Sequence, residues 1–203
     1  MKLKSITGTR VGRVALAAVP VGVAASLLLG GVAQGAVPVS FAVSGKAFKI
    51  SADELSGTGF SQYAGVALTT AGMQGDAKGQ TPVAISNITD ATLKNLCQSV
   101  DVLGPIGLRI EAGQGEKVVT AHDLQIAMSD LKGDATFTNI RIGLDASTVK
   151  GLHSGTAGEF AQDADGVKIT GLQQTSYSTT AGTFNLAGLH LAVVTDGTAS
   201  CFQ

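Results

Sequence analysis

The sequence is poor in the residues that most often carry metal or thiol chemistry. It has three histidines, two cysteines and no tryptophan in 203 residues. It contains no C-x-x-C pair, and no histidine stands at the spacing of zinc ligands. The nearest approach to a calcium loop is D-x-D-G, which begins at Asp163 but lacks the closing glutamate. We therefore predict no metal site and no cofactor.

The sequence also lacks the motifs of nucleotide binding and of common serine hydrolases. No G-x-x-x-x-G-K-[ST] and no G-x-S-x-G occurs. The most similar sequence is GLHSG, in which Ser154 lies one position after the place of the serine in the G-x-S-x-G motif. His153 and Ser154 would face opposite sides of a strand, so a nucleophile at Ser154 would need His122 or His190 as its base. Asp123, directly after His122, is a possible orienting group. The candidate catalytic residues are Ser154, His190 and His122.

Positive charge and long apolar runs are concentrated at the N-terminus. Four basic residues precede a 16-residue apolar run at positions 14–29, and the small residues of GGVAQGA follow. This pattern is typical of a secretory signal peptide cleaved near Gly35 or Ala36. The alternative is a membrane anchor, but the run is shorter than the ~20 residues of a span and contains Pro20. We predict a signal peptide at 1–36 and a secreted domain at 37–203.

The predicted mature chain has an excess of acidic residues. Loss of the four leader cations leaves ten Lys and Arg against 15 Asp and Glu, a net charge of about −5. This balance argues against nucleic acid, where neutralisation of phosphates dominates affinity. It also argues against electrostatic docking on anionic membranes. No second apolar run is long enough to span a bilayer, so we expect no transmembrane anchor after cleavage.

The two cysteines, Cys97 and Cys201, are an even pair in a chain predicted to be exported. Such a pair most simply forms one disulfide. We therefore predict a Cys97–Cys201 bridge.

Apolar residues alternate with small or polar ones along most of the chain, which indicates β-strands. The clearest runs are Val39/Phe41/Val43, Phe48/Ile50, Ile106/Leu108/Ile110, Leu124/Ile126/Met128, Ile140/Ile142/Leu144 and Val167/Ile169. Gly57-Thr58-Gly59, Gly133-Asp134 and Asp165-Gly166 have the composition of turns between such strands. We predict an all-β single domain, a β-sandwich or jelly-roll-like stack, with a flattened β-solenoid as second choice.

One segment occurs twice in similar form, as DATLKNL from Asp90 and as DATFTNI from Asp134. A third and less similar copy is GTFNL at 182–186. The apolar residues within each copy are three apart, which breaks strict alternation. Asn95 and Asn139 fall inside the break, and asparagine tolerates a left-handed backbone. We predict a strand that kinks at each asparagine and changes face there.

Three segments of the sequence resemble those of a known family. They are NLCQSV at 95–100, GDATFTNIRIG at 133–143 and TTAGTFNLAGL at 179–189. With the leader and Cys201, the chain resembles secreted actinomycete proteins of unknown function, some of which are labelled cholesterol esterase. The resemblance implies extracellular hydrolysis of hydrophobic carboxylic esters such as sterol esters, without a cofactor.

Two functions of different classes follow. The resemblance implies an ester hydrolase with a serine nucleophile. The residues themselves, with few histidines and a poor set of nucleophiles, favour a non-catalytic extracellular β protein that binds lipid, a sterol ester or a component of the cell envelope.

Overall fold

Ten β-strands make up most of the computed structural model, which describes residues 40–203. They are β1 (Ser40–Ala42), β2 (Phe48–Leu68), β3 (Gln80–Lys94), β4 (Leu96–Leu103), β5 (Ile106–Ala112), β6 (Val119–Thr138), β7 (Arg141–Asp145), β8 (Phe160–Thr180), β9 (Thr183–Asn185) and β10 (His190–Val194). A four-residue helix, α1 (Thr70–Met73), and short 3-10 turns at Ala77–Gly79 and Ala146–Thr148 complete the structure. Between residues 40 and 203, no helix is long and apolar enough to cross a membrane. The predicted signal peptide and Val39 lie outside the described residues.

Four long strands pair in a closed ring. β2 pairs with β3, β3 with β6 and β6 with β8, and all three pairings are antiparallel. β8 then pairs back with β2, from Phe48 opposite Ser176 to Tyr63 opposite Ala161. The ring provides backbone partners on both sides of the long strands, which leaves them few free edges.

The remaining strands extend this ring as parts of the same sheet. β4, β5 and β10 continue outward from β2, while β1, β7 and β9 are short additions to β2, β8 and β6. The all-β class is confirmed, and the strands form one continuous sheet that closes on itself.

The main core lies inside the ring. It gathers apolar residues of all four long strands, including Leu55, Ile88, Leu124 and Leu172. A second, smaller cluster packs Tyr63 and Ile85 against Ala146 and Val149 of the segment that follows β7.

The predicted kinks at Asn95 and Asn139 are confirmed. Both residues have left-handed backbones, with φ of 54° and 53°. Asn95 separates β3 from β4, and β2 pairs with both, so the two form one long strand with a break. Leu93 and Leu96, three apart, are both buried, so the inward face changes phase at the break.

The turns predicted at Gly57–Gly59, Gly133–Asp134 and Asp165–Gly166 are wrong, because these residues lie inside β2, β6 and β8. Glycine here serves bulges and close strand contacts. Gly59 has φ of 66°, and a Cβ on it would lie 2.3 Å from the side-chain oxygen of Thr89.

The predicted disulfide is present between Cys97 of β4 and Cys201, with Cα atoms 5.9 Å apart and a sequence separation of 104. The Cys201 amide also donates to Ser99 Oγ at 3.0 Å, and Lys49 Nζ donates to the Phe202 carbonyl at 2.8 Å. The C-terminal tail is therefore tied to β2 and β4.

Candidate functional site

An apolar cavity of about 250 Å³ lies inside the ring of long strands. Its walls come from β2, β3, β6 and β8, and eleven of its fourteen lining residues are apolar. They include Leu55, Phe60, Ile88, Ile126, Phe137 and Ile169. The cavity is continuous with the main core, since most of these side chains also belong to it.

The lining set follows from the alternation of the strands. Ile126 and Met128 on β6 are two apart and face inward, and Val167 and Ile169 do the same on β8. None of the residues that line the cavity is charged. An apolar wall without charges favours an uncharged, mainly hydrocarbon occupant.

Three polar side chains, Gln62, Ser86 and Gln174, complete the lining. Gln62 uses both ends of its amide: Nε2 donates to Ser86 Oγ at 2.8 Å, and Oε1 accepts from Gln162 Nε2 at 2.7 Å. Gln174 Nε2 donates to Ser176 Oγ at 2.9 Å. The cavity thus combines an apolar wall with a few placed polar groups, as small-molecule sites do.

The cavity approaches the surface beside Leu131 of β6. The pairing of β3 with β6 ends at Ala84 opposite Met128, so the following part of β6 has β8 as its partner on one side only. Leu131 is 37% exposed and Ala135 is also exposed, although both line the cavity. An open surface groove shares Gln62, Met128 and Leu131 with the cavity. Leu131 therefore stands between the cavity and solvent.

The sequence candidates for catalysis lie outside this cavity. His122 is on β6, and its Nδ1 lies 2.9 Å from Asp90 Oδ1 on the neighbouring β3. The hydrogen bond with Asp90 raises the pKa of His122, and the charges of Asp90 and Asp123 act in the same direction. The hydrogen bond with Asp90 fixes the orientation of the imidazole and stabilises its protonated form.

Ser154 lies in the segment between β7 and β8, next to a histidine–carboxylate pair that sequence reasoning missed. His153 Nε2 lies 2.7 Å from Asp123 Oδ1, and Asp123 follows His122 on β6. The structure therefore brings Ser154 and His122 to the same region. Within residues 40–203, Ser154 makes no hydrogen bond to a histidine ring.

His190 is placed elsewhere, at the start of β10. Its side chain is 71% exposed, and its Nδ1 lies 3.6 Å from Glu111 Oε2 on β5. In the described part of the chain, no hydrogen bond or ion pair links His190 with Ser154 or His122.

The D-x-D-G sequence at Asp163 is occupied by ion pairs inside β8. Asp163 is 1% exposed; its two carboxylate oxygens accept from Arg141, at 2.8 Å from Nε, and one also accepts from the Lys150 amide. The Arg141 hydrogen bonds hold the pKa of Asp163 below its usual value. Asp165 bonds Asn139 and Lys150. Among residues 40–203, no three His, Cys, Asp or Glu side chains are placed to share a metal ion.

Known proteins give this chain a family and no activity. No curated protein and no solved structure matches it, so neither a ligand nor a reaction comes from a relative. The chain belongs to the family of unknown function DUF6230, whose model matches residues 44–202.

Proposed function

We propose that this chain is a secreted, non-catalytic β protein that binds a small apolar molecule inside its closed ring of strands. The observation that carries the proposal is the cavity of about 250 Å³ with an apolar lining and a surface approach at Leu131. Apolar cavities accept hydrocarbon ligands. The basic and apolar leader sequence and the Cys97–Cys201 bridge favour export to an oxidising compartment.

The cavity volume sets the size of the ligand. It exceeds the ~150 Å³ of an engineered cavity that binds benzene, and equals the liquid volume of about eight water molecules. It is below the usual range for drug-sized ligands, ~300–1,000 Å³. A medium-length alkyl chain or a single substituted ring fits this space. A whole sterol ester would need the sheet to open at Leu131.

Titration with toluene and with 1-octanol tests the proposal. We expect saturable shifts of the NMR methyl signals of Ile126, Met128 and Ile169, and a rise in unfolding temperature with ligand concentration. Ala135→Phe should fill the mouth of the cavity and weaken both effects. Ala157→Phe, at an exposed position outside the cavity, is the matched control. Absence of saturable shifts in the native protein would refute cavity binding.

A second candidate function is hydrolysis of hydrophobic esters, which the resemblance to cholesterol-esterase-labelled proteins implies. The observation in its favour is the Asp123–His153 pair at 2.7 Å beside Ser154. A carboxylate bonded to a histidine is the part of a triad that orients the base. Among the described residues, no histidine ring is hydrogen-bonded to the Ser154 hydroxyl.

A serine-directed fluorophosphonate separates the two functions. A hydrolase would form one stoichiometric adduct, seen by intact-mass spectrometry, and Ser154→Ala would abolish it. His153→Ala and His122→Ala would then identify the base. We expect no adduct from the folded protein; a single adduct at Ser154 would replace the binding proposal with the hydrolase.

A further inference from the structure

The polar groups of the cavity identify the chemistry of its occupant beyond size. Resting on the proposed binding function, we infer that the cavity ligand carries an uncharged hydroxyl group, and that this hydroxyl donates a hydrogen bond to the carbonyl oxygen of Gln174. The ligand class is an alcohol with a short or medium-length hydrocarbon part.

The unused acceptor of Gln174 is the first support. Gln174 is 2% exposed and lines the cavity. Its Nε2 is engaged with Ser176 Oγ, but no donor within residues 40–203 reaches its Oε1. Oε1 is not among the fully buried unpaired atoms of the described residues, so a donor can reach it, and a ligand that covers it without a donor leaves it unpaired at a cost.

Ser86 is paired with another polar side chain of the lining, since its Oγ accepts from Gln62 Nε2 at 2.8 Å. Ser86 lies opposite Ile126 of β6, and Gln174 lies opposite Leu131, five residues along the strand, so one ligand group is not assigned to both. The acceptor of Gln174 therefore defines the polar group of the ligand. A hydroxyl is a small uncharged group that can donate to it.

The absence of charge from the lining excludes the alternative head groups. A carboxylate or an ammonium would enter without a counter-ion, and burial of an unpaired charge costs several kcal/mol. An ester or ether oxygen has no proton to donate and leaves Gln174 Oε1 unpaired. A hydrocarbon leaves it unpaired as well. Affinity should therefore fall from alcohol to ether and should be lost for the carboxylate.

Three ligands of similar length test this order: 1-octanol, methyl heptyl ether and sodium octanoate at pH 7, by calorimetric titration of the oxidised protein. We expect 1-octanol to bind about tenfold more tightly than the ether, the usual cost of one unpaired buried acceptor. Octanoate should show no binding in the same range.

Gln174→Met keeps the side-chain volume and removes the acceptor. In this variant the alcohol and the ether should bind within about twofold of one another, with the ether little changed from the native protein. Gln173→Met, on the neighbouring exposed residue, is the matched control and should retain the tenfold preference.

Equal affinity of the native protein for 1-octanol and the ether, or tight binding of octanoate, would overturn the inference and leave the binding function in place. A preference that survives in Gln174→Met would also overturn it. Failure of all three ligands to bind would refute the binding function itself. If Gln174→Met does not fold, the ligand series on the native protein still decides.

Discussion

Asn95 and Asn139 hold the same left-handed conformation at corresponding breaks in two long strands, with φ of 54° and 53°. Each side-chain amide donates to an aspartate on the facing strand, Asn95 to Asp53 at 3.2 Å and Asn139 to Asp165 at 2.8 Å. The repeated segment therefore encodes the same feature at two places. Each is a break in a long strand at which an asparagine side chain is hydrogen-bonded to an aspartate of the facing strand.

The backbone of Asn139 gives the first prediction. Asn139→Ala keeps the left-handed conformation without the side chain that tolerates it, and should lower the free energy of unfolding by about 1–2 kcal/mol. Asn139→Gly loses the bond to Asp165 but relieves the strain, so its loss should be smaller. Urea unfolding measures both. Asn185→Ala is the control, because Asn185 is exposed and lacks a positive φ. Equal losses for Ala and Gly at position 139 would show that strain is unimportant there.

Removal of the disulfide gives the second prediction. The Cys97–Cys201 bridge closes a loop of 104 positions, so loss of its constraint on the unfolded chain should cost about 4–5 kcal/mol. The double variant Cys97→Ser, Cys201→Ser should unfold at much lower urea than the oxidised protein. Reduced native protein is the control and should match the variant. A loss below 1 kcal/mol would mean that the tail contacts of Lys49 hold the C-terminus unaided.

The third prediction concerns the buried carboxylate of Asp163. Arg141→Met leaves this carboxylate without its counter-ion, which should cost about 3 kcal/mol, the lower end of the range for broken buried pairs because the Arg141 side chain is 44% exposed. Lys132→Met, which breaks the surface pair with Asp130, should change stability by less than 0.5 kcal/mol. Thermal unfolding at pH 7 distinguishes them. Similar small losses for both variants would show that Asp163 needs no charged partner.

The fourth prediction concerns acid stability. Hydrogen bonds from Lys168 and Lys94 lower the pKa of Glu54 from 4.5 to about 2. The folded state therefore binds fewer protons than the unfolded state between these values, so the contribution of Glu54 is complete above pH 4.5 and is lost as pH falls towards 2. The stability difference between the native protein and Glu54→Gln should shrink over this interval. Glu116→Gln, at an exposed position, is the control. A difference constant from pH 6 to pH 2 would contradict the assignment.

Local patterns in the sequence predicted several strands, the kink at Asn95 and the disulfide. Alternation at 106–110 and 124–128 predicted strands that are present in β5 and β6. The interrupted alternation around Asn95 predicted its kink, and the even cysteine count predicted the bridge. The strands and the kink depend on residues close in sequence, and the disulfide joins the two cysteines of the chain.

The strand lengths and the cavity depend on contacts that the sequence does not display. Gly57 and Gly166 were predicted to be in turns, but strand partners on both sides of the ring keep the backbone extended at these positions. The cavity arises because the inward faces of four distant strands leave space between them. Asp123 and His153 are 30 residues apart, and the sequence does not indicate which partner either side chain will bind.

The pairing of β2 with β8 has a consequence for the rate of folding. Phe48 lies opposite Ser176, so the ring can close only after more than half of the chain has been brought together. Contacts between such distant residues cost a large loop-closure entropy before they stabilise the fold. All-β proteins of this kind therefore fold in milliseconds to seconds. The refolding time of this protein should therefore be governed by the meeting of its first and last long strands.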